Sequence, residues 1–461
     1  MNSSAGGRTL RTAAPLVFAQ LAFAANAFFT QFLLSRHSST ALHASLPAST
    51  LAVTYMAFFN ATLGYAGTIF ARRDGAGDGR GAMSAFFQSV WLSLFAMPLL
   101  ALGMPAARMI LSMFNTPPEV FAAETKYFDV LMLNAAFTIL AQVLGGFFTG
   151  RGRTGFVGAV TVLGFAVNMA ISPAFIAGFA GLPGGIAGAG IAQTVAHAVP
   201  CVILATAIAR HPDFRRRTVS AMPSLSARET VEILRLGIPN GLRAILEIGG
   251  FFVFTALVAE CSPAAVAAST ALFAVNGVPY GCVQGLAAAV EILVGRASGR
   301  LEDGEARGVI VASSTYAAVF ASAYAAALWL FQDGLLGLFL PASPAFDAGE
   351  YHATARALVM IIAAKAVFEM GSLVLQGALR GLGRTDVVFR VQAISTFAIW
   401  MPTCIAAKLL HPTVPVFWVT MILASASSVA MLVRRLHKAL KTTVANCLSH
   451  KEQEKTGACR G

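Results

Sequence analysis

Apolar runs dominate this chain, and short polar gaps interrupt them at intervals. A helix that crosses the hydrocarbon core of a bilayer needs roughly 20 consecutive apolar residues. Twelve runs meet that requirement: 13–34, 47–70, 83–103, 126–149, 156–178, 186–209, 236–258, 266–294, 309–331, 354–379, 386–408 and 414–433. The pattern predicts twelve membrane-spanning helices. The longest internal polar stretch, 210–235, separates six runs from six. Six is even, so both halves enter the membrane in the same direction.

The halves also resemble each other. Pro15 near the start of the first run answers Pro239 near the start of the seventh, and Arg72 answers Arg296, both at an offset of 224. Gly152-Arg153-Thr154 answers Gly383-Arg384-Thr385 at an offset of 231. The expected fold is an all-α polytopic membrane protein with twelve transmembrane helices in two parallel-repeat six-helix lobes, a layout many transporters use. Its expected segments are a cytoplasmic N-terminus (1–12), an N-lobe (13–209), a cytoplasmic inter-lobe linker (210–235), a C-lobe (236–433) and a basic cytoplasmic tail (434–461).

Composition agrees. Of 461 residues, 57% are hydrophobic and 12% charged, with a mean hydropathy of +0.70. That leaves too little polar surface for a soluble enzyme, a coiled coil or a disordered chain. The net charge of +12 would suggest nucleic acid in a soluble protein. Here position decides: 26 of the 33 Lys and Arg fall at the two ends, in every second gap or, for Arg390, just beyond one. That bias sets both termini in the cytoplasm and explains the basic charge without a nucleic-acid partner. Arg8 and Arg11 precede an uncharged run from Thr12 to Ser35, longer than a signal-peptide core, so a retained first span is expected. The expected place is a bacterial cytoplasmic (inner) membrane. Partners are the lipid bilayer and small-molecule substrates, and the chain is expected to act as a monomer.

Other chemistries leave little trace. The six cysteines are scattered without metal-ligand spacing, so no metal site and no cofactor are expected. No nucleotide-binding phosphate loop occurs. The glycine triplet Gly150, Gly152 and Gly155 follows a membrane helix rather than a strand and reads as a tight turn. No enzymatic constellation is visible. His197, within the sixth run, reads first as a helix-packing hydrogen bonder and second as a weaker site candidate.

An ionisable residue inside a span is costly and is a functional candidate by default. Glu247 lies about 16 Å into the seventh run, and Glu369 about 22 Å from the outer end of the tenth, at about 1.5 Å per residue. Each follows a basic residue by one turn, Arg243 and Lys365, on the same helix face. Arg243 can snorkel to the interface, whereas Lys365 is too deep. Glu291 and Glu260 are near helix ends and are weaker candidates.

These residues sit within a wider resemblance. LGIPNGLRAILE at 236–247, VGRASGR at 294–300, TGRGRT at 149–154, GGIAGAGIAQT at 184–194 and LQGALRGLGRT at 375–385 resemble the multidrug and toxic compound extrusion (MATE) family over most of 10–435. The resemblance implies a secondary active efflux transporter that exchanges H⁺ or Na⁺ for organic, cationic or amphipathic compounds by alternating access. It also implies a C-lobe coupling site. Pro239 plus eight is Glu247, and Gly381 minus twelve is Glu369, where Glu replaces the commoner Asp. The N-lobe departs from the family. Thr30 stands where an Asp is usual in the first span, and Ser172 where some members carry a second Asp. Asn168 remains, so Thr30, Asn168 and Ser172 would form a neutral polar site. Lys365 would act as an internal counter-ion beside Glu369, with Arg243 in the same role beside Glu247. The alternative is a lipid-linked sugar flippase of the same wider superfamily. The intramembrane Glu residues and the count of twelve weigh against it.

Overall fold

The computed structural model describes residues 5–113, 117–181, 183–212, 226–334 and 347–458. Among them there is no strand. The helices are α1 (Ala5–His37), α2 (Ser39–Gly64), α3 (Ala66–Gly75), α4 (Gly79–Ser112), α5 (Pro118–Gly150), α6 (Thr154–Ile176) and α7 (Gly185–Arg210). They continue as α8 (Ala227–Val258), α9 (Pro263–Gly299), α10 (Asp303–Leu330), α11 (Ala348–Gly381), α12 (Thr385–Ala393), α13 (Met401–Leu410) and α14 (Val414–Ala458).

Eleven of the expected spans are long and apolar enough to cross a membrane. The twelfth, 47–70, is covered by α2 and α3, which meet at Tyr65. It is the more polar run, with Ser49, Thr50, Thr54, Asn60 and Thr62. The run 386–408 is also broken. α12 passes through a π-helical stretch, Ile394–Trp400, into α13. Pro402 has no N–H to offer the fourth residue before it, and the ladder widens just upstream. The stretch read as a linker falls largely on 213–225, outside the described residues, and α8 already begins at Ala227. Side chains such as Phe18, Phe28, Leu102, Met109, Leu330 and Leu409 are more than half exposed. Contiguous apolar surface of that kind suits hydrocarbon as solvent.

The chain divides into two compact units, Ala14–Ile245 and Met1–Ala13 with Leu246–Gly461. In the first, α5 packs against α2, α4 and α7. In the second, α11 packs against α9, α10 and α14. α5 and α11 are also the most buried spans, at 50% and 56% of their apolar windows. They occupy equivalent places in the repeat.

The repeat is visible in backbone detail. Gly150 of α5 lies against Gly67, Phe70 and Ala71, and Gly381 of α11 lies against Glu291, Val294 and Gly295. Each of these pairs follows the sequence offsets. A Cβ on Gly381 would come within 2.7 Å of the Glu291 carbonyl oxygen, so only glycine permits that approach. The turns after these helices match as well, with φ of +78° at Gly152 and +77° at Gly383.

A third pair breaks the rule. Gly77 has φ +76°, and its counterpart is Leu301 at +58°, a non-glycine residue in the left-handed region. Such a residue stores strain. Leu301→Gly is therefore expected to stabilise the protein by about 1 kcal/mol, after allowing for the added freedom of the unfolded chain. A rise in the thermal unfolding midpoint in detergent checks this; a fall would show that the Leu301 side chain contributes more than the strain costs.

Candidate functional site

Three polar residues on α9, Asn276, Tyr280 and Gln284, recur every fourth position and so share one helix face. The two intramembrane glutamates both bind this stripe. The Tyr280 hydroxyl donates to Glu247 Oε1, and Gln284 Nε2 donates to the Tyr280 oxygen at 2.9 Å. One turn away, Asn276 Nδ2 donates to Glu369 Oε2 at 3.3 Å. The stripe thus joins two carboxylates from different helices, α8 and α11.

Lys365 Nζ forms an ion pair with Glu369 Oε1, as their helical spacing permits. Lys365 is only 4% exposed, so this charge cannot be satisfied by snorkelling. Its Nζ also lies 5.9 Å from the centroid of the Trp418 ring. Trp418 is fully buried, and its indole N–H donates to Ser269 Oγ at 3.0 Å, which fixes the ring. A buried ion pair survives only with good geometry and further hydrogen bonds. Asn276 supplies one such bond. The pair carries no net charge, so the cation beside Glu369 is part of the protein.

The other candidates have different settings. Glu291 Oε2 pairs with Arg380 Nε at 2.7 Å, with side chains 14% and 8% exposed, and this bridge ties α9 to α11 near their inner ends. Glu260 pairs with Lys408 at 2.8 Å at a solvated helix end. His197 has Nδ1 2.8 Å from the Gln193 carbonyl oxygen and sets its ring edge-on to Phe165. Both contacts are those of a packing residue. Arg243 is buried, with Nε 3.4 Å from Asn240 Oδ1, and Asn240 Nδ2 donates to the Ala61 carbonyl at 2.8 Å.

The N-lobe candidates meet a residue the sequence reading passed over. Asn168 Nδ2 donates to Asn26 Oδ1 at 2.7 Å, and Ser172 Oγ donates to Asn168 Oδ1 at 3.2 Å. Thr30 Oγ1 donates to the Asn26 carbonyl at 3.0 Å. All four are buried, and the cluster contains no ionisable group. The contrast extends to the repeat. The positions equivalent to Lys365 and Glu369 on α5 are Asn134 and Thr138, where the Thr138 hydroxyl donates to the Asn134 carbonyl at 3.0 Å.

Asn26, Asn276, Tyr280 and Gln284 were each legible as polar residues inside apolar runs. Their signal was the four-residue spacing from one another or from Thr30. Charge drew more notice because its burial costs more. Asp129 was also passed over, although it lies in the run 126–149; it pairs with Arg108 at 2.7 Å near the helix end.

The comparisons agree with this architecture. The family described as MatE matches residues 15–174 and again 239–405, once in each half and more than half of the chain in total. A probable multidrug resistance protein NorM of Pseudomonas aeruginosa is 27% identical over 403 residues, covering 86% of this chain and 82% of its own. One from Thermotoga maritima is 25% identical over 353 residues, covering 76% and 74%. Among solved structures, a Vibrio cholerae MATE transporter superposes with a TM-score of 0.85 at 18% identity, over 95% of this chain and 97% of that one. A MOP superfamily transporter from Pyrococcus furiosus, described as having a binding pocket of reverse polarity, gives 0.83 at 18% identity over 96% and 97%. Six apolar runs in each half, the same turn in both halves and a family match that begins at Pro15 and again at Pro239 lead to one assignment: the chain belongs to the MatE family of multidrug efflux transporters, which are multi-pass membrane proteins.

Proposed function

We propose that this transporter exports bulky organic compounds, cationic or amphipathic, in exchange for protons. Glu247 and Glu369 form the coupling site, and Lys365 is a built-in cation beside Glu369. The observation that carries the choice of ion is the Lys365–Glu369 pair. A sodium ion seeking Glu369 has to displace a buried ammonium group held on the same oxygen. A proton needs no coordination shell and can be taken up by a carboxylate without displacing the ammonium group from the site. Cation binding and substrate binding then favour different arrangements of the carrier, which is what coupling requires. The protein acts as a monomer in the bacterial inner membrane with both ends in the cytoplasm. The neutral N-lobe cluster contributes hydrogen-bonding surface rather than a coupling charge.

The multidrug resistance description of its relatives supports the substrate class. The flippase alternative has no comparable support among them.

Efflux of a fluorescent organic cation from proteoliposomes tests the proposal. The expected result is export driven by an imposed pH gradient alone. Export driven by a sodium gradient alone would overturn proton coupling and the role of Lys365. No export under either gradient would remove organic cations as substrates.

A further inference from the structure

A carboxylate only accepts hydrogen bonds, whereas a protonated carboxyl must also donate one. Among the described residues, each group bonded to Glu369 is a donor: Lys365 Nζ to one oxygen and Asn276 Nδ2 to the other. That set fits the charged form. A coupling residue must spend part of each cycle in the other form, and then it needs an acceptor.

Two buried atoms beside it have no hydrogen-bond partner among the described residues. One is Asn276 Oδ1, on the amide that already binds Glu369 and in a residue 4% exposed. The other is the Tyr324 hydroxyl, on α10, which packs against α11; Tyr324 borders the buried cluster that contains Ile362 and Trp418, the ring beneath Lys365 Nζ. Buried polar groups are rarely left unsatisfied, and those that are call for an explanation. Both orphans can accept a hydrogen bond, which is the capacity the present set lacks.

We propose that Asn276 and Tyr324 are positioning residues for the protonated form of Glu369. When a proton arrives on Glu369, rotation of the Asn276 amide presents Oδ1 to the new carboxyl O–H. Lys365 loses its anion at that moment. Its ammonium turns to the Tyr324 oxygen and keeps the Trp418 face. No covalent bond changes apart from the proton's arrival. The site is thus furnished for both charge states, and the orphans are the unused half of the set. This rests on the reading of Glu369 as a coupling residue. The other ionisable groups around α11 are few. α9 contributes Tyr280 with Glu247, and Glu291 bound to Arg380. α9 also carries Cys282 and Arg296, α10 carries Asp303, Glu305, Arg307 and Tyr316 besides Tyr324, α12 carries Asp386 bound to Arg390, and α14 has no ionisable residue over 414–433.

The test is a pH titration of the carboxyl C=O band by infrared difference spectroscopy on reconstituted protein, with Glu369→Gln identifying the band. Tyr324→Phe removes only the hydroxyl. It is expected to move the Glu369 midpoint to lower pH by about one unit, the loss of one hydrogen bond from the protonated state. The pH profile of export should move with it. A midpoint that stays put, or moves to higher pH, overturns the proposal, since Tyr324 would then be structural or a donor to the carboxylate. In the wild type, the Glu369 acid band should have the frequency of a hydrogen-bonded carboxyl; that of an isolated acid would also overturn it, whatever Tyr324→Phe does. Failure of the coupling reading looks different: Glu369→Gln would retain full proton-driven export while the Tyr324→Phe shift persisted in the spectrum.

Discussion

Glu369→Ala is expected to lower the stability of the folded protein by about 3–5 kcal/mol, with export lost as well. The reason is what the substitution leaves behind. Lys365 is 4% exposed, and Glu369 is its paired anion. Removing one partner strands the other charge in a low-dielectric interior, where it cannot reach water. Lys365→Met should be destabilising too, because Glu369 then loses its cation and keeps a single donor from Asn276. The double variant, Lys365→Met with Glu369→Leu, is expected to recover most of the stability and none of the export. Thermal unfolding of the three variants in one detergent checks this. A double variant less stable than either single one would show that the pair holds the helix in place by its geometry rather than balancing a buried charge.

Glu247→Gln is expected to reduce proton-driven export to background while the protein still reaches the membrane. The amide keeps the shape of the side chain and the capacity to accept from Tyr280, so packing should survive. What is lost is the site at which a proton can be carried. Tyr280→Phe should give a milder defect, about tenfold, as expected for loss of one hydrogen bond to a charged group at about 1.5 kcal/mol. Export by Glu247→Gln at the wild-type rate, measured at equal protein per liposome, would remove this residue from the coupling site.

The two variants probe different things. Glu369 is held in a closed pair with a lysine of its own helix. Glu247 is bound to the α9 stripe through a neutral hydroxyl. Glu369 is neutralised by a lysine one turn away on its own helix. Two carboxylates in unlike settings can respond to proton and substrate separately, which a matched pair would not allow.

Much was legible from the chain alone. The number and place of the membrane runs follow from hydropathy because the bilayer imposes a minimum length on every span. The repeat follows from offsets of 224 and 231, and the structure repeats those offsets in the Gly150 and Gly381 contacts and in the turns at Gly152 and Gly383. A glycine required for close approach or for a left-handed turn leaves its mark in the sequence, since few other residues can stand there. Glu247, Glu369 and Lys365 were visible because a charge in an apolar run is conspicuous.

Their partners could be named only from the fold. Nothing in the spacing of Glu291 says that Arg380, on another helix, neutralises it. The four-residue spacing of Asn26 and Thr30 does not indicate that Asn168 reaches across from α6 to Asn26, while a helix carbonyl takes the Thr30 hydroxyl. The α9 stripe is a local pattern, but its meaning is long-range: it acquires a role only when α8 and α11 pack so that Glu247 meets Tyr280 and Glu369 meets Asn276. Hydropathy and helical period are properties of one segment at a time, and they located the spans. Which polar groups satisfy one another depends on how the helices pack, and a linear pattern does not encode that. The tertiary structure therefore decided which charges are neutralised structural bridges, which are joined in a candidate coupling site, and which buried acceptors are left open beside Glu369.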